Sequence, residues 1–188
     1  MRSVIRHFGA IVPALILAAA CAVPALAGGP SHRIGFGGQY DKVSGDTDDA
    51  QGGYLYYMLD LPKPMALMLE VTYVTGEFDI KAGTGDYSTI SLAGAILIQG
   101  NLNSVTPYAG AGAGRYFNDF DDDRGNVRYE DKYGMFVLAG TRVALSDSLS
   151  ADLAVRYRVL RPSSLWPIEP NPIDMDAWVF RLGLTLEL

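Results

Sequence analysis

The sequence predicts an all-β protein that forms an eight-stranded antiparallel up-and-down barrel. Three observations indicate this fold. Apolar and polar residues alternate in stretches of about ten, and such alternation is typical of strands because successive side chains point to opposite faces. The connections between these stretches are alternately long and short. The 188 residues also include 21 glycines and 11 tyrosines, a composition suited to tight turns and packed aromatic rings.

The first residues predict a signal peptide rather than a strand. Two arginines lie near the start, an apolar run covers 11–20, and Ala25 and Ala27 frame a small-x-small cleavage site. This order is that of a secretory leader, and the apolar run is too short to span a bilayer as a helix. We therefore expect residues 1–27 to be removed and residues 28–188 to form the barrel.

Cys21 leaves a second interpretation of the leader open. The run of alanines ending at Cys21 has the outline of a lipoprotein site, although Ala18 stands where such sites usually have leucine. Cleavage after Ala27 would leave no cysteine, so the exported chain would use neither disulfides nor thiol chemistry. It also takes two of the 15 basic residues and leaves 13 against 21 acidic residues, a net charge of −8. An acidic chain argues against a nucleic-acid partner, which needs a basic surface.

The eight predicted strands differ in how clearly they alternate. The second is apolar on both faces, and the fifth consists largely of glycine and alanine, so the inward face of these two strands stays unassigned. The other six separate an apolar face from a polar one. The predicted strands cover residues 31–41, 52–61, 66–75, 87–99, 106–117, 133–145, 149–160 and 178–188.

The connections also fall into two kinds. Long charged loops at one end of a barrel and tight turns at the other are typical of barrels in a bacterial outer membrane. An antiparallel meander needs only hairpins of these two kinds. Long connections cover 42–51, 76–86, 118–132 and 161–175, and short ones 62–64, 100–105 and 146–148.

The last strand predicts that the barrel is transmembrane, with its apolar side chains outside. An interior of eight strands is only wide enough to be filled by side chains, so the bulkier apolar face fits the lipid side better. Eleven residues at ~3.3 Å, tilted by ~45°, rise roughly 25 Å, the height of the apolar band in such barrels. A soluble secreted barrel with the faces reversed is the alternative. The predicted lipid-facing residues are Trp178, Phe180, Leu182, Leu184, Leu186 and Leu188.

Charged residues on the polar faces predict an interior network. They could line a pore or gate, or they could pair with one another, since an unpaired buried charge costs several kcal/mol. We favour the paired network because eight strands leave little aqueous lumen and the two signs nearly balance. The predicted network consists of Glu70, Arg142, Asp152, Arg156, Arg158, Arg181 and Glu187.

Two stretches of the sequence resemble a known family. PYAGAGAGRYF (107–117) and LAGTRVALSDSLSADLAVRYRVL (138–160), followed by the alternating C-terminus, look like the small eight-stranded outer-membrane barrels. That family includes the OmpA-type transmembrane domain, the OmpX/Ail-type proteins and the opacity-type surface antigens. The resemblance implies an integral protein of the Gram-negative outer membrane that contacts lipid and lipopolysaccharide and is inserted by the barrel insertion machinery. Leu188 departs from the terminal phenylalanine usual in the family.

Catalysis is not expected. The enzymes known on such barrels use a histidine, and after cleavage the remaining one is His32, at the start of the first strand. Ser31 is its neighbour in sequence, with a side chain on the opposite face, so the two do not begin a Ser/His/acid set. No cofactor is expected either.

The third long loop imitates the spacing of a calcium loop. Asp119, Asp121, Asp123 and Glu130 occupy positions 1, 3, 5 and 12 of the pattern, but Arg124 replaces the glycine at position 6. The loop is either a solvated acidic surface or a weak calcium or magnesium site that bridges to lipopolysaccharide.

The fourth long loop is proline-rich and carries Trp166 and Ile168. Trp166 would anchor at the membrane interface as part of an aromatic belt, or the apolar tip would dock onto an extracellular partner.

Three functions follow from these observations. The first is a non-enzymatic outer-membrane protein whose long loops make a structural or surface interaction. The second is a narrow channel or carrier for small apolar molecules, with a gap along Gly110, Gly112 and Gly114. The third is a lipid A-modifying enzyme acting through Ser31 or His32.

Overall fold

The structure is a computed structural model that describes residues 31–44, 47–80, 83–122, 127–162 and 175–188. The predicted signal peptide, Cys21, Asp123, Trp166 and Ile168 lie outside the described residues. Within the described ranges no helix is long and apolar enough to cross a membrane.

The predicted fold is confirmed: eight antiparallel strands close into one barrel, each paired with the next in sequence and the first paired with the last. The two strands whose faces were left open now have definite registers, with Tyr56 and Tyr108 pointing inward. The strands are β1 (His32–Ser44), β2 (Thr47–Asp60), β3 (Met65–Ile80), β4 (Gly83–Gln99), β5 (Val105–Asp122), β6 (Val127–Ala144), β7 (Leu149–Pro162) and β8 (Asp176–Glu187).

Closure depends on the pairing of β8 with β1. The register runs from Arg33 opposite Glu187 to Ser44 opposite Asp176, so β8 is paired along its whole length. The backbone of β8 is also paired with β7 on its other side. Closure matters in a membrane because an unpaired strand edge in hydrocarbon would leave peptide groups without hydrogen-bond partners.

The short turns form compact hairpins at one end. In the turn between β2 and β3, Met65 N donates to Pro62 O at 3.2 Å and Leu61 N donates to Met65 O at 3.0 Å. Between β4 and β5, Asn103 has a φ of 56°, a left-handed conformation that asparagine tolerates better than most residues.

The predicted long loops are wrong in extent for three of the four connections. Most of 42–51, 76–86 and 118–132 is paired strand: β3 continues to Ile80 and β5 to Asp122. The backbone ladder continues, while the outward side chains change from apolar to polar and acidic. The apolar–polar alternation used to recognise strands therefore ends before the strands do. The barrel wall projects beyond its apolar band as a rim of extended strands.

Candidate functional site: the barrel interior and its outer rim

A central ionic layer crosses the barrel. Glu70 on β3 accepts two hydrogen bonds from Arg156 on β7, at 2.8 and 2.9 Å, and one from Arg181 Nη1 on β8, at 2.7 Å. Arg158 donates to Asp41 Oδ2 at 2.9 Å. Each of these five residues is at most 4% exposed. Because β3 and β7 stand four strands apart in a closed ring of eight, the Glu70–Arg156 pair braces opposite walls.

Aromatic rings cover the guanidinium faces of this layer. The Arg181 guanidinium carbon lies 3.8 Å from the centre of the Tyr54 ring, and that of Arg156 lies 3.9 Å from the centre of the Phe136 ring. The negative face of an aromatic ring attracts a cation, most strongly where water is excluded. The layer therefore combines ion pairs with stacking, and both occupy space that a pore would need.

Asp152 is held by phenols rather than by an arginine. The hydroxyl groups of Tyr56 and Tyr108 donate to its two carboxylate oxygens, each at 2.6 Å. Tyr56 also shares a hydrogen bond with Thr185 Oγ1 at 2.5 Å. A buried carboxylate is tolerated when its oxygens accept such bonds, so this group closes the space between β2, β5, β7 and β8.

A second polar group closes the short-turn mouth. Arg33 Nη2 lies 2.5 Å from Asp60 Oδ2, and Gln99 Nε2 donates to Asp60 Oδ1 at 3.0 Å. The amide oxygen of Gln99 accepts hydrogen bonds from both Arg33 and Arg142. Arg142 Nη1 also contacts Met58 Sδ at 3.4 Å. Gln99 thus joins two cations to a single carboxylate across the mouth.

Two apolar clusters fill the space above and below the central ionic layer. The one nearer the short turns consists of Tyr54, Tyr56, Met58, Ala66, Met68, Ala93, Ala95, Leu97, Tyr108, Phe136, Leu138 and Ala154. The one nearer the outer rim consists of Ala50, Val74, Tyr87, Tyr116, Leu160 and Met175. The interior is therefore a packed core of alternating ionic and apolar layers.

Six of the seven charges predicted in the interior lie there. Glu70, Arg142, Asp152, Arg156, Arg158 and Arg181 are all buried inside the barrel. Glu187 lies on the inward face at the very end of β8, where its side chain is 49% exposed and its carboxylate lies 4.0 Å from Arg33 Nε. It accepts a hydrogen bond from Ser31 Oγ at 2.9 Å, at the short-turn mouth rather than in the core.

Sequence reasoning missed most partners of these charges. Asp41 and Arg33 were on the polar face predicted for the first strand, but nothing in the sequence paired them with Arg158 or Asp60. The inward tyrosines were missed for two reasons: the second strand, with Tyr56, is apolar on both faces, and the fifth, with Tyr108, consists largely of glycine and alanine. Their hydroxyl groups can be recognised as hydrogen-bond partners of an interior carboxylate only once the register of the strands is known.

The gap predicted along the glycines of β5 is wrong. Gly112 faces inward, but a Cβ placed on it would lie 2.3 Å from Gly94 O and 2.4 Å from the Phe136 ring. A Cβ on Gly110 would lie 2.5 Å from a methyl group of Leu97. These glycines let neighbouring groups approach closely, so along the described part of β5 they are packing positions rather than a gap.

The outer wall is apolar up to an aromatic border. Along β3 the outward residues change from Leu69 and Val71 through Tyr73 to Thr75 and Glu77. Tyr40, Tyr133 and Trp178 hold the same position on other strands and are about half exposed, as is usual for an interfacial girdle. The predicted lipid-facing side chains all point outward, with exposures of 48% (Trp178), 48% (Phe180), 66% (Leu182), 36% (Leu184), 39% (Leu186) and 50% (Leu188).

The rim above the girdle is acidic. A groove of about 590 Å³ runs over the projecting strands, and none of the described residues that line it is a lysine or arginine. Burial, and then repulsion from Asp121, raises the pKa of Asp119 above its ordinary value. The carboxylates in the groove are those of Asp48, Asp49, Glu77, Asp86, Asp119 and Asp121.

The cation site predicted in the third connection stays a prediction. Asp119 and Asp121 both line the acidic groove, whereas Asp123 and the side chain of Glu130 lie outside the described part of the structure. Within the described ranges, no three histidine, cysteine or acidic side chains lie close enough together to hold a metal ion.

Ser31 and His32 contact different partners. Ser31 donates to Glu187, while the His32 ring hydrogen-bonds through Nδ1 to the Tyr57 hydroxyl group. His32 is on the outward face of β1 beside Tyr57, away from the interior acids. The two side chains therefore do not share a catalytic arrangement.

The solved structures that this chain resembles are small outer-membrane barrels. Neisserial surface protein A matches with a TM-score of 0.60 and 14% identity, over 84% of this chain and 96% of that one. Ail of Yersinia pestis matches with a TM-score of 0.59 and 16% identity, over 85% and 99%. At these identities the likeness shows the fold alone. No curated protein matches the sequence.

The closed barrel with an apolar exterior defines an integral outer-membrane protein. The family model described as "Outer membrane protein beta-barrel domain" matches residues 14–186, so the chain belongs to that family. It is therefore located in the outer membrane, in contact with membrane lipid.

Proposed function

We propose that this protein is a non-enzymatic structural protein of the outer membrane, whose closed barrel is a rigid mount for a projecting, acidic rim at the cell surface. The observation that carries this proposal is the brace between Glu70 and Arg156 across the barrel. Ionic pairs that join opposite walls, with apolar clusters on both sides, make a core suited to support and not to conduction.

The packed interior argues against a channel. A solute moving along the axis would have to separate the Glu70–Arg156 and Arg158–Asp41 pairs, and each separation leaves buried charge unpaired. It would also have to displace Met58, Leu97 and Leu138 from the apolar cluster nearer the short turns. The glycines that could have formed a gap are in close contact with their neighbours.

The positions of Ser31 and His32 argue against a lipid A-modifying enzyme. A serine nucleophile needs a base within hydrogen-bond reach, and these two side chains have separate partners. The acidic groove supplies carboxylates but no described histidine.

The charge of the rim limits its partners. One solved structure of Ail is a complex with the heparin analogue sucrose octasulfate, a polyanion. The groove here is lined by six carboxylates, so it would repel such a ligand. The proposed surface interaction therefore involves an extracellular partner that is not polyanionic. Lipid and lipopolysaccharide surround the barrel wall within the membrane, and the barrel insertion machinery acts during assembly.

Planar-bilayer recording tests the proposal. Protein that shifts on a gel between unboiled and boiled samples, and is therefore folded, should give no steady single-channel conductance. A persistent conductance from such folded protein would favour the channel. Binding to immobilised heparin at physiological salt should also be absent, and retention there would overturn the assignment of partner class.

A further inference from the structure

We propose that the central ionic layer binds one small monovalent anion, of the size of chloride, at the edge of the Arg181 guanidinium. The layer holds three guanidinium groups, those of Arg156, Arg158 and Arg181, but two carboxylates, those of Glu70 and Asp41. The neighbouring buried charges toward the short turns, Arg142 and Asp152, lie opposite each other in the β6–β7 register and balance one another. The layer itself is left with one positive charge in excess. Surrounding lipid provides no counter-charge, and a buried unpaired charge costs several kcal/mol.

The excess charge can be assigned to Arg181. Glu70 is already bound in two places by Arg156. Asp41 accepts one hydrogen bond from Arg158 and one from the uncharged amide of Gln39, so Arg158 is its partner of opposite charge. Arg181 shares Glu70 through Nη1 alone, at 2.7 Å. Lys132 is a further buried cation on β6, but it has contacts of its own and is not part of this count.

The donors of Arg181 are available for a ligand. Its Nη2 and Nε atoms are buried and have no hydrogen-bond partner among the described residues, although the residue is only 4% exposed. The Tyr54 ring covers the flat face of the guanidinium at 3.8 Å, so a ligand would contact the edge of the group, where its N–H bonds point. Buried donors of this kind are normally satisfied. A water molecule would satisfy the hydrogen bonds but not the charge, whereas a chloride ion satisfies both.

Anion binding predicts a specific dependence of stability on salt. An anion that binds the folded barrel and not the unfolded chain stabilises the fold by mass action. Above its dissociation constant, a tenfold rise in chloride should raise the folded-to-unfolded ratio about tenfold. Gluconate, at the same ionic strength, is too large for a packed interior and should have no such effect.

The experiment is urea unfolding of the full mature protein in lipid vesicles, over a series of chloride–gluconate mixtures at constant ionic strength. Wild type should show the tenfold dependence, and Arg181→Met should lose it, because its removal balances the layer. Arg33→Met is the matched control: Arg33 pairs with Asp60 at the short-turn mouth, outside the layer, and its removal should leave the chloride dependence intact.

Crystals of the wild type grown with sodium bromide give a direct test that does not need a variant to fold. An anomalous bromide peak within hydrogen-bond distance of Arg181 Nη2 or Nε supports the proposal. Equal stability of wild type in chloride and gluconate overturns it, as does the lack of a peak beside Arg181. A peak that persists in Arg181→Met would show that another residue holds the anion.

Discussion

Arg156 and Glu70 form a bidentate ion pair between β7 and β3, with N–O distances of 2.8 and 2.9 Å, and thereby join opposite walls of the barrel. Both side chains are at most 3% exposed. A pair so placed fixes the separation of the two walls. Removal of Glu70 would leave the guanidinium groups of both Arg156 and Arg181 buried without a carboxylate partner.

Glu70→Gln should therefore destabilise the barrel by about 3–5 kcal/mol, because two guanidinium groups lose their counter-charge. The free energy of unfolding in urea, from lipid vesicles, measures the effect. Glu187→Gln is the matched control at the exposed short-turn mouth and should cost about 1 kcal/mol or less. Equal effects of the two substitutions would show that the interior pair does not brace the barrel.

Tyr56→Phe and Tyr108→Phe should each cost about 1.5–3 kcal/mol, since each removes one hydrogen bond to the Asp152 carboxylate. The double variant should lose more than the sum, because Asp152 is then left without either phenol. The same unfolding measurement gives the coupling energy. Tyr73→Phe, on the lipid-facing girdle, is the control. Strictly additive losses would mean that the two phenols do not act on one carboxylate.

Gly112→Ala should destabilise the fold by about 1–3 kcal/mol, because the added methyl group would lie 2.3 Å from a backbone oxygen and 2.4 Å from Phe136. Gly38→Ala is matched to it, with the nearest atom at 3.8 Å, and should change stability by less than about 0.5 kcal/mol. The two variants are compared by the temperature at which each loses the mobility of the folded barrel on a gel of unboiled samples. A tolerated Gly112→Ala would reopen the channel hypothesis.

The pKa of Asp119 should be higher than that of an ordinary aspartate when followed by carbon-13 NMR in nanodiscs. Asp121→Asn should reduce the rise without abolishing it, because burial is the larger cause. A pKa raised in the folded state means that ionisation costs stability above the unfolded pKa. Asp119→Asn should therefore leave the barrel no less stable at pH 7.

Asp86→Asn is the control for that titration, since Asp86 lines the same groove but is not among the groups that shift Asp119. A normal pKa for Asp119 in the wild type would contradict the geometry described for the rim.

Much of the fold could be predicted because the membrane imposes a strict rule. Each strand inside the apolar band must place lipid-facing side chains at every second position, so Leu182 and Arg181 fall on opposite faces from the sequence alone. That rule ends at the girdle. Beyond Tyr73 both faces of β3 are polar or mixed, and its continuation to Ile80 rests on backbone hydrogen bonds that leave no mark in the sequence.

The interior was harder to predict than the exterior. Alternation identified the faces of Arg156 and Glu70, but their contact depends on closure and on the stagger between strands, which bring β3 and β7 to opposite sides. Glu187 shows the same limit: alternation predicted its face correctly, but not its position along the barrel axis, which is at the exposed mouth. Distance along the axis is set by register, which alternation does not contain.

Nitroxide spin labels in lipid bilayers test most directly whether the barrel has its apolar residues outside. Leu182→Cys and Glu187→Cys, each made in a Cys21→Ala background, place one label on the outward face of β8 and one on its inward face at the exposed short-turn mouth. The label at 182 should collide readily with oxygen dissolved in lipid and weakly with a water-soluble nickel reagent, while the label at 187 should be reached by the nickel reagent. A label at 182 that the nickel reagent reaches freely would contradict the membrane barrel and favour a soluble one.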